Sequence, residues 1–260
     1  MSYSVLATSK TPALVVYVLD VSYSMNEALG GQRRIDAVTD ALAKALRQMV
    51  FRSTKGTVIA PRYRVAMVAY SDHVWDLLDG AKTVDKVAKM GVPKLSVQQR
   101  TDTARAFTLV KRLLERELPN LQQCPAPVVC HMTDGHYTGD DPSTIINEIK
   151  QMRVPDGSVL MENVFISDQV LTEPITDPKR WQGVRPSTGL VDDYARQLRD
   201  MSSALPDSYR SAMEEAGYHV ANDAVMMLPG ANTELVEMGF VMSMGTPISA
   251  PARVEQTIDA

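Results

Sequence analysis

Ala13-Leu14-Val15-Val16-Tyr17-Val18-Leu19 runs apolar without alternation and breaks off into Asp20-Val21-Ser22-Tyr23-Ser24. A strand that is apolar on both sides belongs inside a parallel sheet covered on both faces. The next long segment has a helical period instead. In Arg34–Phe51, residues Ile35, Val38, Leu42, Ala45, Leu46 and Met49 recur at three and four, which predicts a helix with one buried face. Tyr63–Tyr70 is a second strand, and Val74–Leu78 pairs with it across Ser71-Asp72-His73 as a short antiparallel edge. Thr83–Met90 reads as a short helix stopped by Gly91 and Pro93.

Farther along, Thr101–Leu118 carries a helical stripe of Ala104, Phe107, Thr108, Leu109, Leu113, Leu114 and Leu118, expected to be buried, and Pro119 comes directly after its end. Pro127–Met132 is the next buried strand and leads to Thr133-Asp134-Gly135. Pro142–Met152 is a helix with Asp140 or Asp141 available as its cap, and Val159–Ile166 is a further strand. Strands alternating with helices of this length predict an α/β fold. Its sheet is doubly wound and mostly parallel, with one antiparallel edge strand and helices on both faces.

The last third is looser. Asp168–Val191 is rich in Pro, Thr, Gly and Asp and contains Trp181, an unusually long connection. Helices are expected at Asp192–Met201, Ser208–Ala216 and Asn232–Met242, with a last strand at Ala224–Leu228. Gly245–Ala260 reads as a tail. With no internal repeat, residues 1–260 read as one domain with an elaborated C-terminal third.

Composition narrows the function. The 260 residues carry 27 basic and 31 acidic side chains, a net charge of -4, and no Lys/Arg-rich run, which argues against nucleic acid as a partner. No apolar run approaches the roughly 20 residues that span a bilayer. Met1–Lys10 lacks a basic segment followed by an apolar core, so a cytoplasmic protein with no membrane association is expected. Cys124 and Cys130 lack zinc-ligand spacing and read as reduced structural thiols. The 15 methionines read as core filler.

Three short stretches fall where strands end or a helix opens: Asp20-Val21-Ser22-Tyr23-Ser24, Thr101-Asp102-Thr103 and Thr133-Asp134-Gly135. In an open α/β sheet the carboxyl ends of the strands form the ligand crevice. Two carboxylates and several hydroxyls, with neither thiolate nor clustered imidazole, form a hard all-oxygen donor set. It suits Mg²⁺, Mn²⁺ or Ca²⁺ and suits Zn²⁺ poorly. Each stretch alone has a plainer explanation. Ser and Asp are common turn residues, Thr101 is a possible helix cap, and Asp-Gly is a frequent turn. His131 reads as a packed strand residue and His136 as a rim residue, neither of them catalytic.

Taken in order, Asp20, Ser22 and Ser24, then a Thr at a helix start, then an Asp after a later strand, resemble the metal ion-dependent adhesion site (MIDAS) of von Willebrand factor A domains. The resemblance covers about residues 12–170. It implies that Ser22, Ser24 and Thr101 bind the metal directly, and Asp20 and Asp134 directly or through water. It further implies that a Glu or Asp of a partner protein fills the open position. Thr103 is the alternative to Thr101. Arg100 stands where the family often has Gly, either favouring an acidic ligand at the rim or merely solvated, and Tyr23 replaces the usual Gly between the serines. By this resemblance the chain is a Mg²⁺-dependent protein-binding module, a scaffold in an intracellular assembly. The competing readings are a Mg²⁺-dependent phosphohydrolase using the same carboxylates and a scaffold with a vestigial site. Against the hydrolase stand the missing glycine-rich phosphate loop and the missing second acid beside Asp20.

Overall fold

In the computed structural model, which describes residues 3–135 and 137–248, the opening apolar run is β1, Ala13–Asp20, buried along its whole length. Leu14, Val16 and Val18 pack into one core while Ala13, Val15, Tyr17 and Leu19 pack into another. The residues alternate in direction, as strand geometry requires, but both directions are dry. Around it lie β2 (Tyr63–Tyr70), β3 (Val74–Asp76), β4 (Lys82–Thr83), β5 (Val128–Thr133), β6 (Leu160–Phe165) and β7 (Met227–Pro229). The order across the sheet is β7-β6-β5-β1-β2-β3, with β4 also against β2. Pairing is parallel from β7 to β2 and antiparallel where β3 and β4 meet β2.

Chain order reverses between β1 and β5. From β1 the chain moves outward to β2 and β3, then returns to place β5 on the other side of β1. That puts the switch point at the carboxyl ends of two neighbouring strands, one ending at Asp20 and the other running into Asp134, where open α/β sheets bind ligands.

Helices cover both faces. One core contains α1 (Arg34–Ser53), α2 (Val84–Met90), α6 (Asp207–Glu215) and α7 (Thr233–Ser243). The other contains α3 (Thr103–Glu117), α4 (Ser143–Gln151) and α5 (Asp193–Met201). Side-chain caps fix three starts. Asp102 accepts from Arg105 N–H, Asp192 from Ala195 N–H and Asn232 from Leu235 N–H. Because Asp102 takes the cap of α3, that helix begins at Thr103 and leaves Thr101 in the preceding loop, two residues later than the spacing predicts.

The final strand is also later than expected, Met227–Pro229 rather than Ala224–Leu228. It is an edge strand, where the missing N–H of Pro229 is tolerated. Segment 168–191 is a closed lobe. Leu171 bridges Leu190 at its base, and Lys179, Gln182 and Val184 take backbone N–H bonds from His219, Ala221 and Val225. Packing continues to Ile248, which bridges Ala7, and Thr246 is buried with its hydroxyl 2.7 Å from that of Tyr209. Residues 249–260 of the expected tail, and His136, lie outside the described residues. No described helix is long and apolar enough to cross a membrane.

Gly239 shows how closely α7 sits on the sheet. A Cβ there would lie 2.6 Å from Cγ2 of Val164 in β6. Gly→Ala in a helix ordinarily gains up to about 1 kcal/mol, but overpacking a stiff β-branched neighbour costs about 1–3 kcal/mol. Gly239→Ala is therefore expected to lower unfolding stability by about 1 kcal/mol. Denaturant titration checks this; a gain in stability would mean α7 can lift from β6 at little cost.

Candidate metal centre

Asp20 is the last residue of β1 and is fully buried. Its Oδ1 accepts from Ser22 N–H at 2.8 Å, which turns the loop back so that alternate residues face one way. Its Oδ2 accepts from Thr133 Oγ1 at 2.8 Å, and Tyr70 OH lies 3.4 Å away. The Ser22 and Ser24 hydroxyls are 3.1 Å apart, and Ser24 Oγ donates to Asp134 Oδ1 at 2.7 Å. Of the five residues expected at the site, Ser22, Ser24 and Asp134 thus form a continuous chain of oxygens between the ends of β1 and β5, and Asp20 joins it through the Ser22 N–H.

Thr101 lies at the same end by other means. Its carbonyl accepts from Thr138 N–H at 2.9 Å and Thr138 Oγ1 at 3.0 Å, in the loop after Asp134. Its neighbour Asp102 donates N–H to Ser71 O beyond β2, and Gln98 N–H of the same loop donates to Val21 O. Thr101 is buried, but its hydroxyl makes no hydrogen bond to the other four residues. Thr103, the alternative, is also buried, and its Oγ1 has no hydrogen-bond partner. Tyr23 projects from the 3₁₀ turn Tyr23–Asn26 with 70% of its surface exposed, and Arg100 is exposed.

The surroundings of both acids disfavour the bare carboxylate. Burial, reinforced by the nearby Asp134 carboxylate, raises the Asp20 pKa to about 6, against the opposing pull of the Ser22 and Thr133 hydrogen bonds. Burial also raises Asp134, while Ser24 and Arg34 pull it down. Two buried acids that feel each other's charge resist full ionisation together unless positive charge is supplied.

The donor set fits a hard divalent cation. Adjacent oxygens around an octahedral ion with bonds of roughly 2.0–2.1 Å are about 2.9 Å apart. The Ser22–Ser24 and Ser24–Asp134 separations fall on either side of that value. Among the described residues, no three His, Cys, Asp or Glu side chains gather to hold a metal. A cation here would be held by hydroxyls as much as by carboxylates.

Several contributors have a place at the site that the sequence alone does not announce. Thr133 holds Asp20 from β5. Tyr70 OH also lies 2.7 Å from His131 Nε2, and His131 Nδ1 lies 2.9 Å from Asn163 Oδ1. Asn163 Nδ2 donates to Leu198 O and Ser202 Oγ, so its Oδ1 is the acceptor and Nδ1 of His131 carries the proton. Burial lowers the His131 pKa to about 4, so the ring stays neutral and serves as a packed hydrogen-bonding residue. Arg34, the first residue of α1, donates from Nη1 to Asp134 Oδ2 at 3.0 Å. Nothing local in the sequence marks that contact, which spans 100 positions.

A family model described as von Willebrand factor type A domain matches residues 15–136, a segment that contains all five residues. Among solved structures, proximal thread matrix protein 1 from the mussel byssus, determined with a zinc-occupied MIDAS motif, aligns with a TM-score of 0.55 at 12% identity. The alignment covers 93% of this chain and 47% of that one, so this chain spans about half its length. The conserved hypothetical protein BatB from Bacteroides thetaiotaomicron aligns with a TM-score of 0.53 at 12% identity, covering 89% of this chain and 97% of that one. A mutant of the PilB minor pilin from Streptococcus sanguinis aligns with a TM-score of 0.52 at 11% identity, covering 91% and 62%. At these identities the likeness is one of fold. A comparison with curated proteins finds no match.

Proposed function

We propose that the chain, whose residues 15–136 match a model described as von Willebrand factor type A domain, is a divalent-metal-dependent protein-binding module acting through Asp20, Ser22, Ser24, Thr101 and Asp134. The observation that carries this reading is the oxygen chain Ser22–Ser24–Asp134 beside buried Asp20, at the point where strand order reverses. Ser22 and Ser24 supply neutral oxygens, and Asp20 and Asp134 supply charge. Thr133 and the Ser22 N–H fix the Asp20 carboxylate so that its orientation need not be found on binding.

A hard divalent cation, Mg²⁺ with Mn²⁺ or Ca²⁺ as alternatives, would supply Lewis acidity for an outside carboxylate at this rim. The partner in this reading is a protein presenting an exposed Glu or Asp, and exposed Tyr23 would touch it. The proposed setting is the cytoplasm and the proposed role is a non-enzymatic scaffold. Both free cysteines are buried, in keeping with a reducing compartment.

Capture of partners from the source cell is expected to collapse in EDTA and to return when Mg²⁺ or Mn²⁺ is restored. An identical partner set with and without chelator would contradict the reading.

A further inference from the structure

We infer that Arg34 is an internal cation that weakens the hold of the Asp20–Asp134 centre on a divalent metal and strengthens that metal's attraction for an acidic ligand; the inference rests on the metal-binding reading above.

Arg34 is only 8% exposed, an uncommon place for a guanidinium unless it is paired. Its pairing is not the usual fork. One nitrogen, Nη1, serves both Asp134 Oδ2 at 3.0 Å and Glu27 Oε2 at 2.8 Å, while Nε is buried with no hydrogen-bond partner. Arg33 next to it grips both carboxylate oxygens of Asp36 with Nε and Nη2. Arg64 likewise takes both oxygens of Glu117. Arginine–carboxylate pairs are frequently bidentate, with two parallel bonds. Arg34 instead stands end-on beside Asp134, so what it gives the site is chiefly charge.

The backbone builds this arrangement. The two-residue strands Ala28–Leu29 and Gln32–Arg33 form a hairpin, and Arg34 N–H donates to Glu27 O at its base. The hairpin sets Glu27 against Arg34 as α1 begins. Asp134 is thereby divided: Oδ1 faces Ser24 and Oδ2 faces Arg34.

The consequence is a matter of sign. With Asp20 and Asp134 ionised, Arg34 leaves the buried centre with one net negative charge, and a divalent cation turns it positive. Without the guanidinium the same cation only neutralises the centre. Arg34 therefore opposes cation entry and favours an incoming carboxylate once the cation is in place. Glu27, on the exposed side, offsets part of that effect. Loss of Arg34 and loss of Glu27 should move metal affinity in opposite directions.

The test is calorimetric titration of Mn²⁺ into the full chain, Arg34→Gln and Glu27→Gln. Acetate is then titrated against each Mn²⁺-loaded protein, with displacement of metal-bound water followed by proton relaxation. Arg34→Gln is expected to bind Mn²⁺ about tenfold tighter and acetate about tenfold weaker. Glu27→Gln is expected to bind Mn²⁺ about threefold weaker, the effect being reduced by solvent screening. A purely structural role for Arg34 would weaken both ligands together and overturn the inference. So would Mn²⁺ affinities that agree within about twofold across the three proteins. If Arg34→Gln fails to fold, Glu27→Gln decides alone, since that side chain is 63% exposed. Failure of Mn²⁺ to bind either the parent or Arg34→Gln removes the metal-binding reading and this inference with it. Binding to both with equal strength removes only this inference.

Discussion

Asp20→Asn is expected to reduce Mn²⁺ or Mg²⁺ affinity by at least about 100-fold while leaving the metal-free domain as stable as the parent or more so above pH 6. The two halves have one cause. Asp20 is buried, and its pKa is raised to about 6 from an ordinary 3.8, first by desolvation and then by Asp134. A group whose folded pKa is raised gives its full stability below the unfolded pKa. That stability is lost as pH rises through the folded pKa. Near neutral pH the ionised carboxylate is therefore a burden of order 3 kcal/mol in the absence of a cation.

Asn keeps one oxygen to accept from Ser22 N–H, its NH₂ in place of Oδ2 can donate to Thr133 Oγ1, and it discards the charge. Part of the gain is lost because Thr133 Oγ1 no longer has Asp20 as its acceptor. Calorimetric titration gives the affinity, and denaturant unfolding in EDTA at pH 5 and pH 8 gives the stability. A residue retained at a cost in stability and required for binding is what a functional site looks like. Retained affinity in Asp20→Asn would remove Asp20 from the site.

Glu162→Gln is expected to flatten the pH dependence of stability and to leave metal affinity unchanged. Glu162 sits in the middle of β6, opposite Cys130 of β5, wholly buried and with neither carboxyl oxygen hydrogen-bonded. Burial pushes its pKa well above the usual carboxylate range, and the Cys130 thiol, a weak donor, gives little relief. The acid is accordingly folded in its protonated form. Unfolding releases the proton once pH exceeds the unfolded pKa near 4.5. Stability should then fall by up to about 1.4 kcal/mol for each pH unit until the folded pKa is reached.

At pH 5 the variant and parent should be close, since both carry a neutral group there, the amide with one more unmet donor than the acid. At pH 8 the variant should be more stable, with a melting point higher by about 4 °C or more. Because Asp20 contributes a slope of the same sign, the informative quantity is the difference between parent and variant. A constant difference at both pH values would mean Glu162 is ionised in the folded state.

Much of this architecture is legible in the sequence because it derives from periodicity. The unbroken apolar run of β1, the three-and-four spacing of α1 and α3, and the Asp-Gly and Pro-Gly punctuation together fix the layers and the strand-end location of the site. Asp192 and Asn232 declare their helix starts by cap chemistry alone. Three things stay hidden, each decided by contacts distant in sequence. Asp102 rather than Thr101 caps α3, because both residue types can cap and only the surrounding loop chooses between them. The last strand is shifted because β7 takes its register from β6. The lobe at 168–191 has the composition of a loose loop, yet its order comes from backbone bonds to residues 219–225. At the site, the residue types and their strand ends could be read in advance. The guanidinium beside Asp134 could not, because its position carries no local pattern, and the Thr133-Asp134-Gly135 stretch does not reveal that Thr133 holds Asp20 across 113 positions.

The most direct measurement is an anomalous difference map from crystals soaked in Mn²⁺. One strong peak is expected between the ends of β1 and β5, in coordination contact with Ser22 Oγ and Ser24 Oγ, with the Asp20 and Asp134 carboxylates next to it and the Thr101 hydroxyl turned toward it. A peak elsewhere on the molecule, or density at those oxygens showing only their mutual hydrogen bonds at saturating Mn²⁺, would contradict a metal centre at this place.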